Sequence, residues 1–191
     1  MPRELSSASE LKSGETSQML DAARYSAAEA TRDGRKLEIR ALRPQDKDDM
    51  RAAVDRASAQ SLYRRFFGAK RSFSDKEVAF FVNVDFLKHV ALVAVVEEGD
   101  QAAIVAGGRY IVQQSGAAEI AFVVIDDYQK QGIGAALLRH LAILGRGAGV
   151  KEFTAEVLPE NIPMLKTFEK SGLKMSTKRE QGTVHVKLQL G

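Results

Sequence analysis

AEIAFVVIDDYQKQGIGAALLRHL, residues 118–141, joins an apolar strand to a helix through a short loop that contains two glycines. The spacing of Ile133, Leu137 and Leu141 places three large apolar side chains on one helical face. The loop therefore leads into the first turn of a helix, where backbone N–H groups have no intrahelical acceptor. Together with the positive end of the helix dipole, such groups favour a bound phosphate or pyrophosphate.

The loop QKQGIG, residues 129–134, is compatible with two interpretations. Glycine at 132 and 134 lets the backbone approach a ligand closely and keeps side chains out of the way. Glycines at this spacing also occur in plain turns, and neither the Walker pattern nor the longer dinucleotide fingerprint is present. Spacing alone therefore leaves phosphate binding and a simple turn open.

The patterns on both sides of this stretch predict a mixed α/β (α+β) domain over residues 37–191. Alternating and helical apolar patterns give the element order β–α–α–α–β–β–β–α–β–α–β–β. Residues 1–36 carry few large apolar side chains, so their burial would not offset the entropy of ordering them. We expect an N-terminal extension there, disordered or partly helical, with an alanine-rich helix over residues 16–30.

The composition excludes several kinds of site. The chain of 191 residues has no cysteine, so disulfides, thiolate metal sites and a cysteine nucleophile are excluded. His89, His140 and His185 lack metal-ligand spacing, and we expect no metal. No apolar run is long enough to span a membrane and the chain does not begin like a signal peptide, so we expect a cytoplasmic protein without a membrane partner. A net charge of +3 is too small to favour nucleic acid as a partner.

The same stretch resembles the acetyl-CoA-binding motif of the GNAT superfamily of N-acyltransferases. Gln129, Gly132 and Gly134 match its Gln/Arg-x-x-Gly-x-Gly/Ala core, and the element order matches that fold. Four further segments are similar to the catalytic domain of Pat-type protein lysine acetyltransferases: DGRKLEIRALRPQD (33–46), SLYRRFF (61–67), NVDFLKHVALVAV (83–95) and AEVLPENIPMLKTFEKSGL (155–173). The resemblance implies a central, mostly antiparallel sheet flanked by helices and splayed at the acetyl-CoA-binding strand.

The resemblance also implies where acetyl-CoA, as co-substrate, would bind. The pantetheine arm would pair with the exposed backbone of the strand before the loop, and backbone amides of the loop would hold the pyrophosphate. Asn161 matches a position that contacts the pantetheine arm, but it also suits a helix N-cap. The implied cofactor-binding residues are Phe122, Val123, Val124, Gln129, Lys130, Gln131, Gly132, Ile133, Gly134, Ala135 and Asn161.

Glu119 is the candidate general base. A lysine amine has a pKa of about 10.4, so at pH 7 its ammonium form must lose a proton before it can attack a thioester. Glu119 interrupts an apolar strand ten residues before Gln129, and the family places a glutamate base on this strand. The alternative is a solvent-facing glutamate or one paired with Arg109. Where many GNAT enzymes place a tyrosine acid, this chain has Phe168, so the thiolate would leave unassisted or be protonated by water.

The basic run of Arg64, Arg65, Lys70 and Arg71 admits three interpretations. A solvated charged face, with the neighbouring phenylalanines in the core, is the favoured one. A nucleic-acid patch is the second, and a rim that steers acidic substrates or the CoA 3′-phosphate is the third.

The resemblance implies an acetyl-CoA-dependent N-acetyltransferase that transfers acetyl directly to a lysine amine of a protein substrate. An AMP-forming acyl-CoA synthetase is the substrate that Pat-type relatives suggest. Two alternatives stay open: a GNAT enzyme that acetylates a small-molecule amine, and a non-catalytic acyl-CoA-binding sensor. Glu119 favours an enzyme, since a sensor needs no base.

Overall fold

Eight strands form a single sheet in the computed structural model, which describes residues 22–70 and 72–191. The strands are β1 (Ser26–Ala30), β2 (Lys36–Ala41), β3 (His89–Glu98), β4 (Gln101–Val112), β5 (Ala118–Val124), β6 (Glu152–Val157), β7 (Lys174–Glu180) and β8 (Thr183–Gln189). The helices are α1 (Lys47–Arg56), α2 (Ala59–Phe66), α3 (Asp75–Val82), α4 (Ile133–Gly147) and α5 (Ile162–Glu169). The predicted mixed α/β fold, with a mostly antiparallel sheet flanked by helices, is confirmed.

The sheet order is β1-β2-β3-β4-β5-β6-β8-β7, and its single parallel pair is β5 with β6. That pair is short, because only Ala118 faces Phe153 and Glu119 faces Thr154. On its other side β5 stays paired with β4 as far as Val124. The edge of β5 that faces β6 is therefore unpaired beyond Glu119, as expected for a sheet that splays at this strand.

The N-terminal boundary expected at residue 37 is wrong, and the helix expected over residues 16–30 is wrong for residues 26–30. Ser26–Ala30 is a strand, and it pairs along its whole length with Lys36–Ala41. Local preference of the alanines for a helix is overridden by the backbone hydrogen bonds that the edge of β2 offers. The part of the expected extension before residue 22 lies outside the described residues.

Different helices cover the two faces of the sheet. Along β3, Leu92 belongs to the core shared with Leu137 of α4, whereas Ala91 and Val93 pack with Met50 of α1. This alternation follows from the two-residue period of a strand. Full burial of a leucine such as Leu137 stabilises the fold by about 1.5–3 kcal/mol. Within the described residues, no helix has the length and apolar character needed to cross a membrane.

A buried ion pair fixes the start of α1 against the sheet. The Arg40 guanidinium donates to both carboxylate oxygens of Asp46, at 2.7 and 2.9 Å, and both residues are under a tenth exposed. The Arg43 amide donates to Asp46 at 2.7 Å. Burial raises the pKa of the Asp46 carboxyl, but these hydrogen bonds outweigh it and the pKa is lowered below its ordinary value of 3.8.

We predict that Asp46→Asn lowers the free energy of unfolding by about 3–5 kcal/mol at pH 7, because it leaves the buried Arg40 charge uncompensated. Since the folded pKa of Asp46 is depressed, its contribution is present above about pH 4 and is lost as the pH falls. Urea unfolding at several pH values measures the difference. Glu180→Gln is the control, because the exposed pair of Glu180 with Lys178 should change stability by less than about 0.5 kcal/mol. Equal stability of Asp46→Asn and the parent protein would contradict the prediction.

Candidate functional site

A cleft of about 610 Å³ opens where β5 and β6 separate. Its walls are β5 from Glu119 to Val124, the facing part of β6, the loop before α4 and the start of α5. The predicted strand residues lie here: the Phe122 side chain is buried, and Val123 and Val124 are half-buried. The loop residues Gln129, Lys130, Gly132, Ile133, Gly134 and Ala135, together with Asn161, also line the cleft.

Free backbone donors gather at the loop before α4. In the described part of the chain, the amides of residues 130–135 donate to no other group, and the first helical bond runs from Ala136 to Gly132 at 3.0 Å. Gly132 adopts φ 84°, a left-handed conformation that glycine takes at little cost. A Cβ at Gly132 or Gly134 would meet nothing within 4 Å, so no protein group fills the space beside these two residues. This combination of donors, helix dipole and room suits an anion.

Gln129 has a different role from its loop neighbours. Its amide donates to the Asp126 carbonyl at 3.2 Å and so is not free. Its side-chain amide donates to Ser61 of α2 at 3.0 Å and to the Val124 carbonyl at 3.1 Å. Gln129 therefore links α2 to the end of β5 at the edge of the cleft.

The β1–β2 turn supports the same loop from outside. The Arg32 amide donates to the Gln131 carbonyl at 3.1 Å, and the Arg32 side chain donates to the Lys130 carbonyl at 3.2 Å. The Asp33 amide donates to the Gln131 side-chain oxygen at 3.2 Å. These bonds hold Lys130 at φ 62°, an uncommon conformation for a residue with a side chain. Sequence reasoning missed Arg32 because it assigned residues 1–36 to an extension.

Glu119 lies at the apex of the cleft, since it is the last residue of β5 that pairs with β6. Its side chain is exposed, and one carboxylate oxygen accepts from the Gln113 side chain at 3.1 Å. The alternative pairing with Arg109 does not form, because Arg109 donates to His89 at 2.9 Å. The second carboxylate oxygen of Glu119 thus has no hydrogen-bond donor among the described residues.

Arg64 and Arg65 line the cleft and are half-buried, so the interpretation of the basic run as a solvated face is wrong for them. The Phe66 ring packs edge-on against Phe73, with ring centres 5.1 Å apart. Burial lowers the pKa of the Arg65 guanidinium, and Glu119 acts in the opposite sense. The sequence did not reveal this position because only the packing of α2 onto β5 brings the two arginines to the cleft. Arg71 lies outside the described residues.

Asn161 caps α5, since its side chain accepts from the Met164 amide at 3.4 Å, and it also lines the cleft. Phe168 is buried with its ring centre 6.2 Å from that of Phe122, so the residue at the tyrosine position offers no proton. Tyr128 lines the cleft but donates its hydroxyl to Glu98 at 2.6 Å. Among the described residues, no cluster of three or more His, Asp or Glu is placed to hold a metal.

The chain is similar to several known proteins. Residues 56–173 match the family described as acetyltransferase (GNAT) family. The chain is 34% identical over 117 residues to Acetyltransferase Pat of Mycolicibacterium smegmatis, covering 60% of this chain but only 34% of that protein. It is 32% identical over 125 residues to Acetyltransferase PA5475 of Pseudomonas aeruginosa, covering 65% of this chain and 67% of that protein.

A solved structure, the GNAT domain of S. lividans PAT, superimposes with a TM-score of 0.79 at 32% identity. The match covers 86% of this chain and 96% of that domain. The chain thus spans nearly all of that isolated domain and about a third of the length of the mycobacterial Pat.

Proposed function

The chain belongs to the GNAT family of acetyltransferases, and from that premise we propose that it transfers acetyl from acetyl-CoA directly to a lysine amine of a protein substrate. The observation that carries the proposal is the cleft itself: free amides stand at one end and the Glu119 carboxylate at the other. The five residue-to-residue steps from Glu119 to Val124 span about 17 Å at 3.3 Å per residue. Acetyl-CoA fits this cleft, because it has an anionic end and a reactive end at about that separation.

The donor would be held by backbone groups. The amides of residues 130–135 would bind the pyrophosphate, and the unpaired edge of β5 at Phe122, Val123 and Val124 would pair with the amide groups of the pantetheine arm. Hydrogen bonds from such amides to an anion contribute about 1.5–3 kcal/mol each. Asn161 would contribute both as the cap of α5 and as a contact for the arm.

Glu119 would take the proton of the acceptor. Its unbonded carboxylate oxygen accepts a proton from the substrate ammonium, directly or through one water, while Gln113 holds the other oxygen. The neutral amine then forms the new C–N bond as the C–S bond of the thioester breaks. With no cysteine in the chain, no cysteinyl acyl-enzyme can form, and direct transfer is the simplest route.

The departing thiolate would take up, through water, the second proton, which the amine nitrogen loses as the amide forms. Tyr128 is the only tyrosine in the cleft wall of the described residues, and its hydroxyl is already donated to Glu98. A thiol has a pKa of about 8.5, so its thiolate is a good leaving group without an acid.

Two features support a protein as the acceptor. The GNAT domain of S. lividans PAT matches nearly in full, and the sequence resembles Pat-type protein lysine acetyltransferases, whose substrates include AMP-forming acyl-CoA synthetases. Phe67 and Ile162 line the cleft yet expose 42% and 49% of their surface, which suits contact with a folded partner. We propose a cytoplasmic acyl-CoA synthetase as the first substrate to test.

Incubation with acetyl-CoA and a panel of acyl-CoA synthetases, polyamines and aminoglycosides, read by mass spectrometry, tests the acceptor class. We expect acetyl-lysine on a synthetase. Acetylation of a small amine alone would replace the proposal with a small-molecule enzyme. Binding of acetyl-CoA without transfer to any acceptor would indicate a sensor.

We predict that Glu119→Gln lowers kcat by about 10²–10⁴-fold at pH 7 and leaves acetyl-CoA affinity unchanged, since only the base is lost. Steady-state kinetics and calorimetry measure the two effects. Glu156→Gln is the matched control, because Glu156 is also an exposed glutamate in the cleft wall and should retain full kcat. An unchanged kcat for Glu119→Gln would remove Glu119 from the mechanism.

We predict that Gly132→Ala weakens acetyl-CoA binding at least about tenfold, because a methyl group and a changed φ disturb the free amides. Gly149→Ala is the matched control: Gly149 has φ 79° and equally open space, but it lies beyond the far end of α4. Both substitutions should cost about 1–2 kcal/mol of stability, measured by urea unfolding. Equal acetyl-CoA affinity of the two variants would argue against the loop as the pyrophosphate site.

A further inference from the structure

A second cavity, of about 270 Å³, lies between the sheet and helices α1–α3. Its walls are mostly apolar and include Leu62, Phe66, Val78, Val93 and Ile104. It meets the cleft only along the residues that line both, which are Arg65, Ala121 and Val123. Nothing in the acetyl-transfer mechanism above uses its interior.

Three arginines line this cavity, together with the carboxylate of Asp55. Arg51 is paired with Asp75, whereas Arg65 from α2 and Arg109 from β4 have no such partner among the described residues, and we name the space the arginine cavity. The Arg65 guanidinium lies 4.7 Å from the Phe66 ring centre and has no hydrogen-bond acceptor among the described residues. Arg109 stacks 4.6 Å from the Phe81 ring centre. Neither guanidinium has a carboxylate oxygen within 4.0 Å in the described part of the chain.

Arg109 is only partly satisfied by its neighbours. One of its terminal nitrogens donates to His89 at 2.9 Å and to the Phe81 carbonyl at 3.4 Å. Burial and the Arg109 charge lower the pKa of His89 to about 4, so His89 is neutral at pH 7 and its Nε2 accepts. Burial and the nearby Arg65 charge lower the pKa of Arg109 to about 9. The remaining N–H groups of Arg109 have no acceptor among the described residues, and none of its nitrogens is both fully buried and unpartnered, so these groups are open to an acceptor from solvent or a ligand.

We propose that the arginine cavity binds a small organic carboxylate with an apolar body, its two oxygens held by Arg65 and Arg109. Two close guanidinium groups in an apolar wall repel each other, and an anion between them removes that repulsion while it accepts from both. An apolar cavity of about 150 Å³ already holds a benzene molecule, so this one has room for a chain of about six to eight carbons. The site adjoins the cleft at Arg65, Ala121 and Val123, but Glu119 is not part of its lining.

Calorimetric titration of the full chain with sodium octanoate, without acetyl-CoA, tests the proposal. We expect saturable binding of octanoate and at least about tenfold weaker binding of 1-octanol, which lacks the charge. Arg65→Gln and Arg109→Gln should each weaken octanoate binding about ten- to hundredfold, as for loss of a charged hydrogen bond. Arg179→Gln is the control, since Arg179 lies exposed on β7 and should leave binding unchanged.

A variant that fills the cavity gives an independent test with both arginines retained. Gly107 lines the cavity, and a Cβ there would meet only the Leu92 carbonyl at 3.8 Å, so Gly107→Val should fold and exclude octanoate. Circular dichroism shows whether each variant is folded. If an arginine variant is unfolded, octanoate binding by Gly107→Val tests the proposal instead. Absence of octanoate binding by the parent protein would overturn the proposal. Equal octanoate affinity in the parent protein and Gly107→Val would overturn it as well.

Discussion

The short pairing of β5 with β6 is the constraint on which the candidate site depends. Two residues of β5 pair with β6 and the rest do not, although β4 supports β5 along its full length. A strand that is held on one side and free on the other presents backbone donors and acceptors to a ligand without unfolding. The same divergence creates the cleft, sets Glu119 at its apex and leaves the start of α4 at its open end. Closing the two strands along their length would remove all three features at once.

The loop at the open end of the cleft depends on distant segments for its shape. Residues 130–135 leave their amides free, so they gain little from hydrogen bonds of their own. Their conformation is held from one side by the β1–β2 turn through Arg32, and from the other by Gln129, which bonds to Ser61 and Val124. An anion site of this kind is preorganised, because the donors are unpaired before the ligand arrives and the backbone need not rearrange.

The sequence predicted the parts of this arrangement that are local. The strand, loop and helix at residues 118–141 follow one another directly, and the glycine spacing with the helical repeat was sufficient to place Gly132 at the start of α4. β1 was missed because its alanines favour a helix locally, and only its partner β2, several residues away, makes it a strand. Arg64 and Arg65 of α2 were predicted to face solvent, because runs of charged residues usually do. The burial of Arg65 instead results from the packing of α2 onto β5, which no local sequence pattern predicts.

The two faces of the sheet differ in a way that explains where the polar groups lie. The face under α4 is an apolar core that includes Leu92, Leu137 and Phe122, except where the buried His140 of α4 bonds to Glu29 of β1 at 2.7 Å. The face under α1–α3 carries Arg109, and the pairing of Arg109 with Ala121 puts Glu119 on this same face, two residues along β5. Charged groups on the α4 face would have to be buried in a closely packed layer, at a cost of several kcal/mol each. The face under α1–α3 instead borders the cavity, where a charge can meet a ligand. The packing of α4 therefore leaves the Glu119 carboxylate and the Arg109 guanidinium on the opposite face of β5, while the free amides lie at the N-terminal end of α4.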